Sequence, residues 1–271
     1  MWLPGTSRTP DPLELAMTDA LPADLIEGAE PWFHEGGPSG ILVLHGFTGN
    51  PASMRGVAEA LAEVGFTVDL PLLPGHGTKI EDMIPTGFDD WLGHAEAHYQ
   101  ALAESCQHVV VVGLSMGGAL TAWLGSEHAE IAGLVCINAV VSVPPGMREA
   151  VTEVLASGAD RFAGIGSDIA DPDTVESAYA ETPLAPLLTM FDAADNLGDR
   201  LGRITSPMLI VTSVQDHVVP PENSDLLAAQ VAGPVERLVC ERSYHVVTMD
   251  YDKDVVIASV VDFAEKVTAH R

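Results

Sequence analysis

The chain holds 271 residues, 47% of them hydrophobic and 6% aromatic, which is enough for one large domain or two small ones with a sizeable core. Twelve Lys and Arg against 39 Asp and Glu leave a formal charge of −27, so phosphate backbones and anionic lipid surfaces are repelled and nucleic acid is not expected as a partner. No run reaches the ~18 apolar residues of a membrane span, and the longest candidate, 131–143, is interrupted by Gly133, Asn138 and Ser142, so no stable membrane insertion is expected.

Residues 1–30 mix Pro, Asp, Glu and Ala without a clear period and read as an extended, partly disordered lead-in. Pro4, Gly5 and Pro10 stand where a secretory signal needs an apolar core, so a cytoplasmic location is expected. The first apolar run, 41–44, precedes a helical pattern over 51–64 that sets Met54, Val57, Ala58, Leu61 and Val64 on one face. Asn50 is its N-cap, Pro51 its first residue, and Gly65 follows its end. Further apolar runs at 66–70, 109–112, 134–137, 208–211 and 235–239 alternate with helical patterns at 88–104, at 119–128 and through Val256, Val260, Phe263 and Val267. These runs are continuous, as in strands buried on both faces. The alternation predicts an α/β fold, a mostly parallel central sheet flanked by helices.

Between 143 and 203 that rhythm stops. No strand run occurs, and short helical patterns are separated by Gly158, Gly164, Gly166, Pro172, Pro183 and Pro186. A structureless loop of such length inside a domain is unusual, so 143–203 reads as an inserted helical cap, or lid, and 31–142 together with 204–271 as the core. Cys106, Cys136 and Cys240 are odd in number and form no C-x-x-C pair, which predicts buried, reduced thiols.

The sharpest motif is Gly113-Leu114-Ser115-Met116-Gly117, directly after one apolar run and directly before a helical one. In that setting G-x-S-x-G places a strained serine at the apex of a strand-to-helix turn, above a helix N-terminus. Serine needs a base to remove its proton, and an acid and a histidine follow in the order Ser, Asp, His. Asp216 comes just after the run 208–211, and His245 just after 235–239. The carboxyl ends of parallel strands are where catalytic groups gather. Asp216 would orient His245, and His245 would take the proton of Ser115. Rival acids are Asp225, placed within a helix after Pro221, and Asp250 and Asp252, which a helix dipole at the start of the last helix already explains. His217 is the rival base, read instead as a rim or hydrogen-bonded structural histidine. The segment His45-Gly46-Phe47-Thr48-Gly49 offers the backbone N–H of Phe47 as an oxyanion donor beside that of Met116. His45 reads as a residue that holds this loop by a side-chain hydrogen bond, and 73–77 as a shaped turn. Ten histidines are present, but no H-E-x-x-H spacing occurs among them, so no metal site is expected.

Together with Pro74-Gly75-His76-Gly77, Thr86-Gly87-Phe88-Asp89-Asp90-Trp91, Asp216-His217-Val218-Val219-Pro220 and Ser243-Tyr244-His245, these motifs resemble the α/β-hydrolase superfamily. Within it the likeness is to the small bacterial monoacylglycerol lipases and carboxylesterases, over about residues 31–267. The resemblance implies Ser115 as nucleophile, His245 as base, Asp216 as orienting acid, Phe47 and Met116 as oxyanion donors, an apolar acyl channel under a lid, and no cofactor. The implied activity is hydrolysis of neutral carboxylic esters with short- to medium-chain acyl groups, the partner being a small-molecule ester and the protein a monomer or weak homodimer.

In the cap, Ile165, Ile169, Leu184, Leu187, Leu188, Met190 and Phe191 are candidates either to roof an acyl chain or simply to pack the cap on the core. Ile165, Glu181, Leu184 and Leu188 are taken as the substrate contacts, with Glu181 facing glycerol hydroxyls. A thioesterase, a transacylase or a carbon–carbon bond hydrolase on the same triad is the competing enzyme reading. A non-catalytic binding module on a hydrolase scaffold is the competing reading from another class.

Overall fold

In the computed structural model, residue 22, residues 24–164 and residues 166–269 are described. The central strands are β2 (Ser39–Leu44), β3 (Thr67–Leu70), β4 (His108–Leu114), β5 (Gly133–Ile137), β8 (Met208–Ser213) and β9 (Val235–Cys240). They pair in parallel, and a three-residue strand β1 (Trp32–His34) adds antiparallel to β3. The sheet order is β1-β3-β2-β4-β5-β8-β9. All six apolar runs are strands of this sheet. β1 was not among them, because a half-buried Trp-Phe-His triplet carries neither an apolar run nor an alternation.

Residues of one strand still divide between two cores. On β2, Leu42 and Leu44 join a cluster with Phe88, Trp91, Tyr99, Leu120, Leu124 and Leu184. Ile41 and Val43 join the opposite one, with Val57, Leu61, Val256, Val260 and Phe263. The first cluster is covered by α3 (Phe88–Ser105), α4 (Met116–Glu127) and α6 (Leu184–Gly198), the second by α1 (Arg55–Glu63) and α8 (Lys253–Ala269). Burying each Leu or Val in these layers contributes about 1.5–3 kcal/mol. The pattern over 51–64 begins as a 3-10 turn, Pro51–Met54, and continues as α1. Asn50 caps the turn as expected, its Oδ1 accepting from the Ala52 N–H at 3.0 Å. The one charge inside the central strand β3, Asp69, faces α3, where its Oδ2 lies 2.6 Å from His98 Nδ1. One expectation about burial needs correction at the sheet's end. β9 is the edge strand, so it is exposed along much of its length, with Val239 51% accessible.

The segment 143–203 contains α5 (Met147–Ala156) and α6, but it is not purely helical. Strands β6 (Arg161–Ala163) and β7 (Glu181–Pro183) pair antiparallel within it. They are too short for periodicity to reveal. The remaining helices are α2 (Ile80–Met83) and α7 (Glu222–Gln230). Asp225 lies within α7, as read from Pro221. No helix among the described residues is long and apolar enough to cross a membrane.

Candidate active site

Ser115 sits between the last residue of β4 and the first of α4, with φ 58° and ψ −114°. A non-glycine residue at positive φ is strained, and the surroundings hold it there. Its N–H donates to the Ile137 carbonyl at 2.8 Å, and its carbonyl accepts from Ala119 N–H at 3.1 Å and Val140 N–H at 3.3 Å. The turn closes only because its flanks lack side chains. A Cβ on Gly113 would stand 2.0 Å from the Gly117 carbonyl oxygen, and one on Gly117 would stand 2.2 Å from that of Leu44.

The loops after β8 and β9 bring Asp216 and His245 together. Asp216 Oδ2 lies 2.7 Å from His245 Nδ1, while its Oδ1 accepts from the N–H groups of Val218 and Val219, both at 2.8 Å. An ionised carboxylate accepts only, so Nδ1 carries the ring proton and Nε2 is left as the acceptor. Asn138, at φ 44°, donates from Nδ2 to the His245 carbonyl at 2.7 Å. His245 and Ser115 line the same cavity, of about 410 Å³.

The first loop supplies a second set of fixed directions. His45 is fully buried, and its Nε2 accepts from the Leu73 N–H at 3.1 Å. Nδ1 therefore bears the proton and donates to the Gly46 carbonyl at 3.0 Å. In a trans peptide the carbonyl and the following N–H point opposite ways, so pinning the Gly46 oxygen aims the Phe47 N–H. That segment passes directly over the serine, since a Cβ on Gly46 would lie 3.4 Å from Ser115 Cβ. Burial, reinforced by the neighbouring His76, holds the His45 pKa well below the ordinary histidine value, so the ring stays neutral. Burial likewise lowers His76 to about 4. The N–H of Met116 opens α4 immediately after the serine.

The rivals have other tasks. Asp225 Oδ1 pairs with Arg237 on the surface at 2.7 Å. Asp250 accepts from the N–H groups of Tyr244, Ala170 and Asp171, and Asp252 binds Arg242 and Ser243. Their side chains therefore tie loops together, where a helix dipole was expected to explain them. His217 is half-exposed, with Nδ1 2.8 Å from Asp168 Oδ1.

In the insertion the substrate contacts differ from those expected. Glu181, Leu184 and Leu188 are not among the described residues that line the cavity. Glu181 is an exposed residue of β7 whose Oε2 faces Arg161 at 3.7 Å. Leu184 is wholly buried in the core cluster, and Leu188 packs against that cluster. Ile165 lies outside the described residues. The lining comes from their neighbours: Thr182, one step along β7 and so on its other face, and Leu187, Met190 and Phe191 of α6. Met147, Phe162 and Val218 line the cavity and are also well exposed. Glu176, which no motif marked, also lines it, and burial raises its pKa. Among the described residues, no group of three or more His, Cys, Asp or Glu could hold a metal ion.

A mostly parallel sheet with a strained serine at the β4–α4 turn and a His–Asp pair at the ends of later strands defines an α/β-hydrolase. The family model described as Hydrolase_4, "Serine aminopeptidase, S33", matches residues 39–252, and the chain belongs to that family. It is 44% identical over 246 residues to a thermostable monoacylglycerol lipase of Bacillus sp. (strain H-257), covering 89% of this chain and 96% of that one. It is 30% identical over 244 residues to a carboxylesterase of Bacillus subtilis (strain 168), covering 88% and 96%. Among solved structures, one reported with the metagenome-derived lipolytic enzymes LipS and LipT superposes with a TM-score of 0.86 at 37% identity, over 89% of this chain and 99% of that one. A monoacylglycerol lipase of Paleococcus ferrophilus shares the fold, with a TM-score of 0.73 at 15% identity over 88% of this chain and 99% of that one.

Proposed function

We propose that the protein is a carboxylic ester hydrolase that cleaves neutral esters of short- to medium-chain acyl groups, monoacylglycerols among them, through an acyl-enzyme on Ser115. The observation that carries this reading is the 2.7 Å His245–Asp216 contact at the rim of a cavity that Ser115 also lines. The names of the relatives, monoacylglycerol lipase and carboxylesterase, point the same way.

In this mechanism Ser115 Oγ attacks the ester carbonyl carbon as His245 Nε2 takes its proton. The N–H groups of Phe47 and Met116 receive the negative oxygen of the tetrahedral intermediate, and His245 returns the proton to the departing alcohol. Water then attacks the acyl carbonyl, giving a proton to His245, and Ser115 leaves with that proton as the acid is released. Asp216 fixes the ring's orientation and balances the imidazolium. Phe191, Met190 and Leu187 offer the acyl chain an apolar wall. Glu176, a cavity-lining carboxyl whose pKa burial raises, meets the hydroxyls of a glycerol leaving group. The net charge of −27 disfavours dianionic substrates such as acyl-CoA and favours release of the carboxylate product. Cys106, Cys136 and Cys240 are all free, which supports a place in the reducing cytoplasm.

The test is a panel of p-nitrophenyl esters from acetate to palmitate, with a monoacylglycerol and an acyl thioester, on the wild type and on Ser115→Ala. Turnover is expected to be highest on butyrate to decanoate esters and on the monoacylglycerol, and to be abolished by Ser115→Ala with thermal unfolding nearly unchanged. Faster cleavage of the thioester than of its oxygen ester would overturn the substrate class, and turnover by Ser115→Ala would overturn the nucleophile.

A further inference from the structure

Asp168, from the insertion, is a buried carboxylate, and its side chain is only 9% exposed. Burying a carboxylate is costly unless hydrogen bonds compensate it. Its acceptors are directed at two loops of the core. Oδ2 accepts from the backbone N–H of His245 at 3.0 Å and from that of His217 at 3.2 Å, and Oδ1 lies 2.8 Å from His217 Nδ1. One side chain thus joins the histidine of the triad to the residue that follows its acid. The Asp168 carbonyl accepts from Val246 N–H at 3.1 Å, so two successive amides of the His245 loop are bound to the same residue.

A second carboxylate answers in the opposite direction. Asp250, beyond His245, accepts from Ala170 N–H at 2.8 Å and Asp171 N–H at 3.1 Å in the insertion, and from Tyr244 N–H at 2.8 Å. The amides of residues 244, 245 and 246 are therefore all engaged by this pair. Further along the insertion, Tyr179 N–H donates to the Thr48 carbonyl at 3.1 Å, and Asn50 Nδ2 donates to the Ser177 carbonyl. Residues 168–179 run from the His245 loop to the loop that carries Phe47.

The geometry points to Asp168 as a positioning residue: the inserted segment, beyond roofing the cavity, sets the relative placement of His245 and Asp216 by clamping both of their loops. This inference rests on the triad reading above. Displacement of a catalytic group by 1 Å costs about a hundredfold in rate, and the clamp acts on the backbone to which the imidazole is attached. A residue that only shaped the cavity would alter substrate affinity instead.

The experiment compares Asp168→Ala, Asp168→Asn and Asp168→Glu in the full chain, reading kcat and KM on p-nitrophenyl butyrate, the rate of labelling by a small alkyl phosphonate, and thermal unfolding. Asp168→Ala is expected to lower kcat and the labelling rate together, by about tenfold to a hundredfold, with KM within about threefold. Asp168→Asn keeps a carbonyl acceptor at the same place and is expected to recover most of both rates. Asp168→Glu keeps the charge but displaces the acceptor by a methylene, and it is expected to lose about tenfold; this variant and Asp168→Asn decide the matter should Asp168→Ala fail to fold. Wild-type kcat and labelling in Asp168→Glu, a loss confined to KM, or an Asp168→Asn as impaired as Asp168→Glu would overturn the proposal. Those outcomes leave the triad intact, whereas hydrolysis by Ser115→Ala breaks the triad itself.

Discussion

Ser115, Asp216 and His245 stand at or just beyond the carboxyl ends of β4, β8 and β9, whereas much of the apolar wall around them comes from 143–203, which forms no part of the sheet. The sheet side is set by backbone constraints that tolerate little change: a serine at positive φ, two glycines with no room for a Cβ, and a carboxylate with its acceptors filled. The insertion is set by apolar side chains that serve packing and lining in adjacent positions, as Leu184 and Leu187 do on one turn of α6. Changes on the first side should therefore strike kcat, and changes to the apolar side chains of the second should strike choice of substrate.

The largest effect expected is that of Asp216→Asn. It preserves shape but favours the wrong tautomer of His245, so kcat should fall about 10⁴-fold with the fold retained by circular dichroism. A loss of less than tenfold would break the sheet side of the comparison. His45→Ala comes next. Releasing the Gly46 carbonyl leaves the Phe47 N–H unaimed, and the loss of an oxyanion donor costs roughly a hundredfold in kcat. An unchanged kcat in steady-state assays would contradict the orientation argument.

The sheet side should also weaken in acid. His76 has its pKa lowered from 6.5 to about 4 by burial, so below pH 6.5 the unfolded chain takes up a proton that the folded chain refuses. Its contribution is present above 6.5 and is lost as pH falls to about 4, about 3 kcal/mol in all. His45 acts in the same direction. Thermal unfolding followed between neutral pH and the low end of that window should show the decline, and His76→Gln should make it shallower. An unaltered slope would remove His76 from the account.

The smallest effects separate two glutamates of the insertion. Glu176→Gln should reduce the preference for a monoacylglycerol over a simple alkyl ester by about fivefold, the worth of roughly 1 kcal/mol of hydrogen bonding. Glu181→Gln should leave that preference within twofold, because Glu181 faces Arg161 at the surface. Equal effects of the two would erase the distinction between lining and outward positions in β7 and its approach.

What could be read from the amino-acid order follows the same division. The six apolar strands were legible because burial on both faces imposes a continuous run, and the elbow because its glycines are required by contacts with Gly117 and Leu44 backbone. β1 and the β6–β7 pair were not, since three residues carry no period. Asp250 and Asp252 were assigned to a dipole because a carboxylate near a helix start looks the same whether it meets that helix or a distant loop. Glu181 was expected to face the cavity for a related reason: the alternation that turns Thr182 inward and Glu181 outward runs over a three-residue strand and leaves no period to read. Asp168 gave no signal at all, its partners lying 49 and 77 residues away.

The central claim is that Ser115 is activated by His245. Labelling with a serine-directed fluorophosphonate, followed by peptide mass mapping on the wild type and on His245→Ala, tests it most directly. The account predicts a single adduct on Ser115 that forms rapidly in the wild type and is lost or slowed by orders of magnitude in His245→Ala. An adduct on another serine, or equal labelling of Ser115 in both proteins, would contradict it.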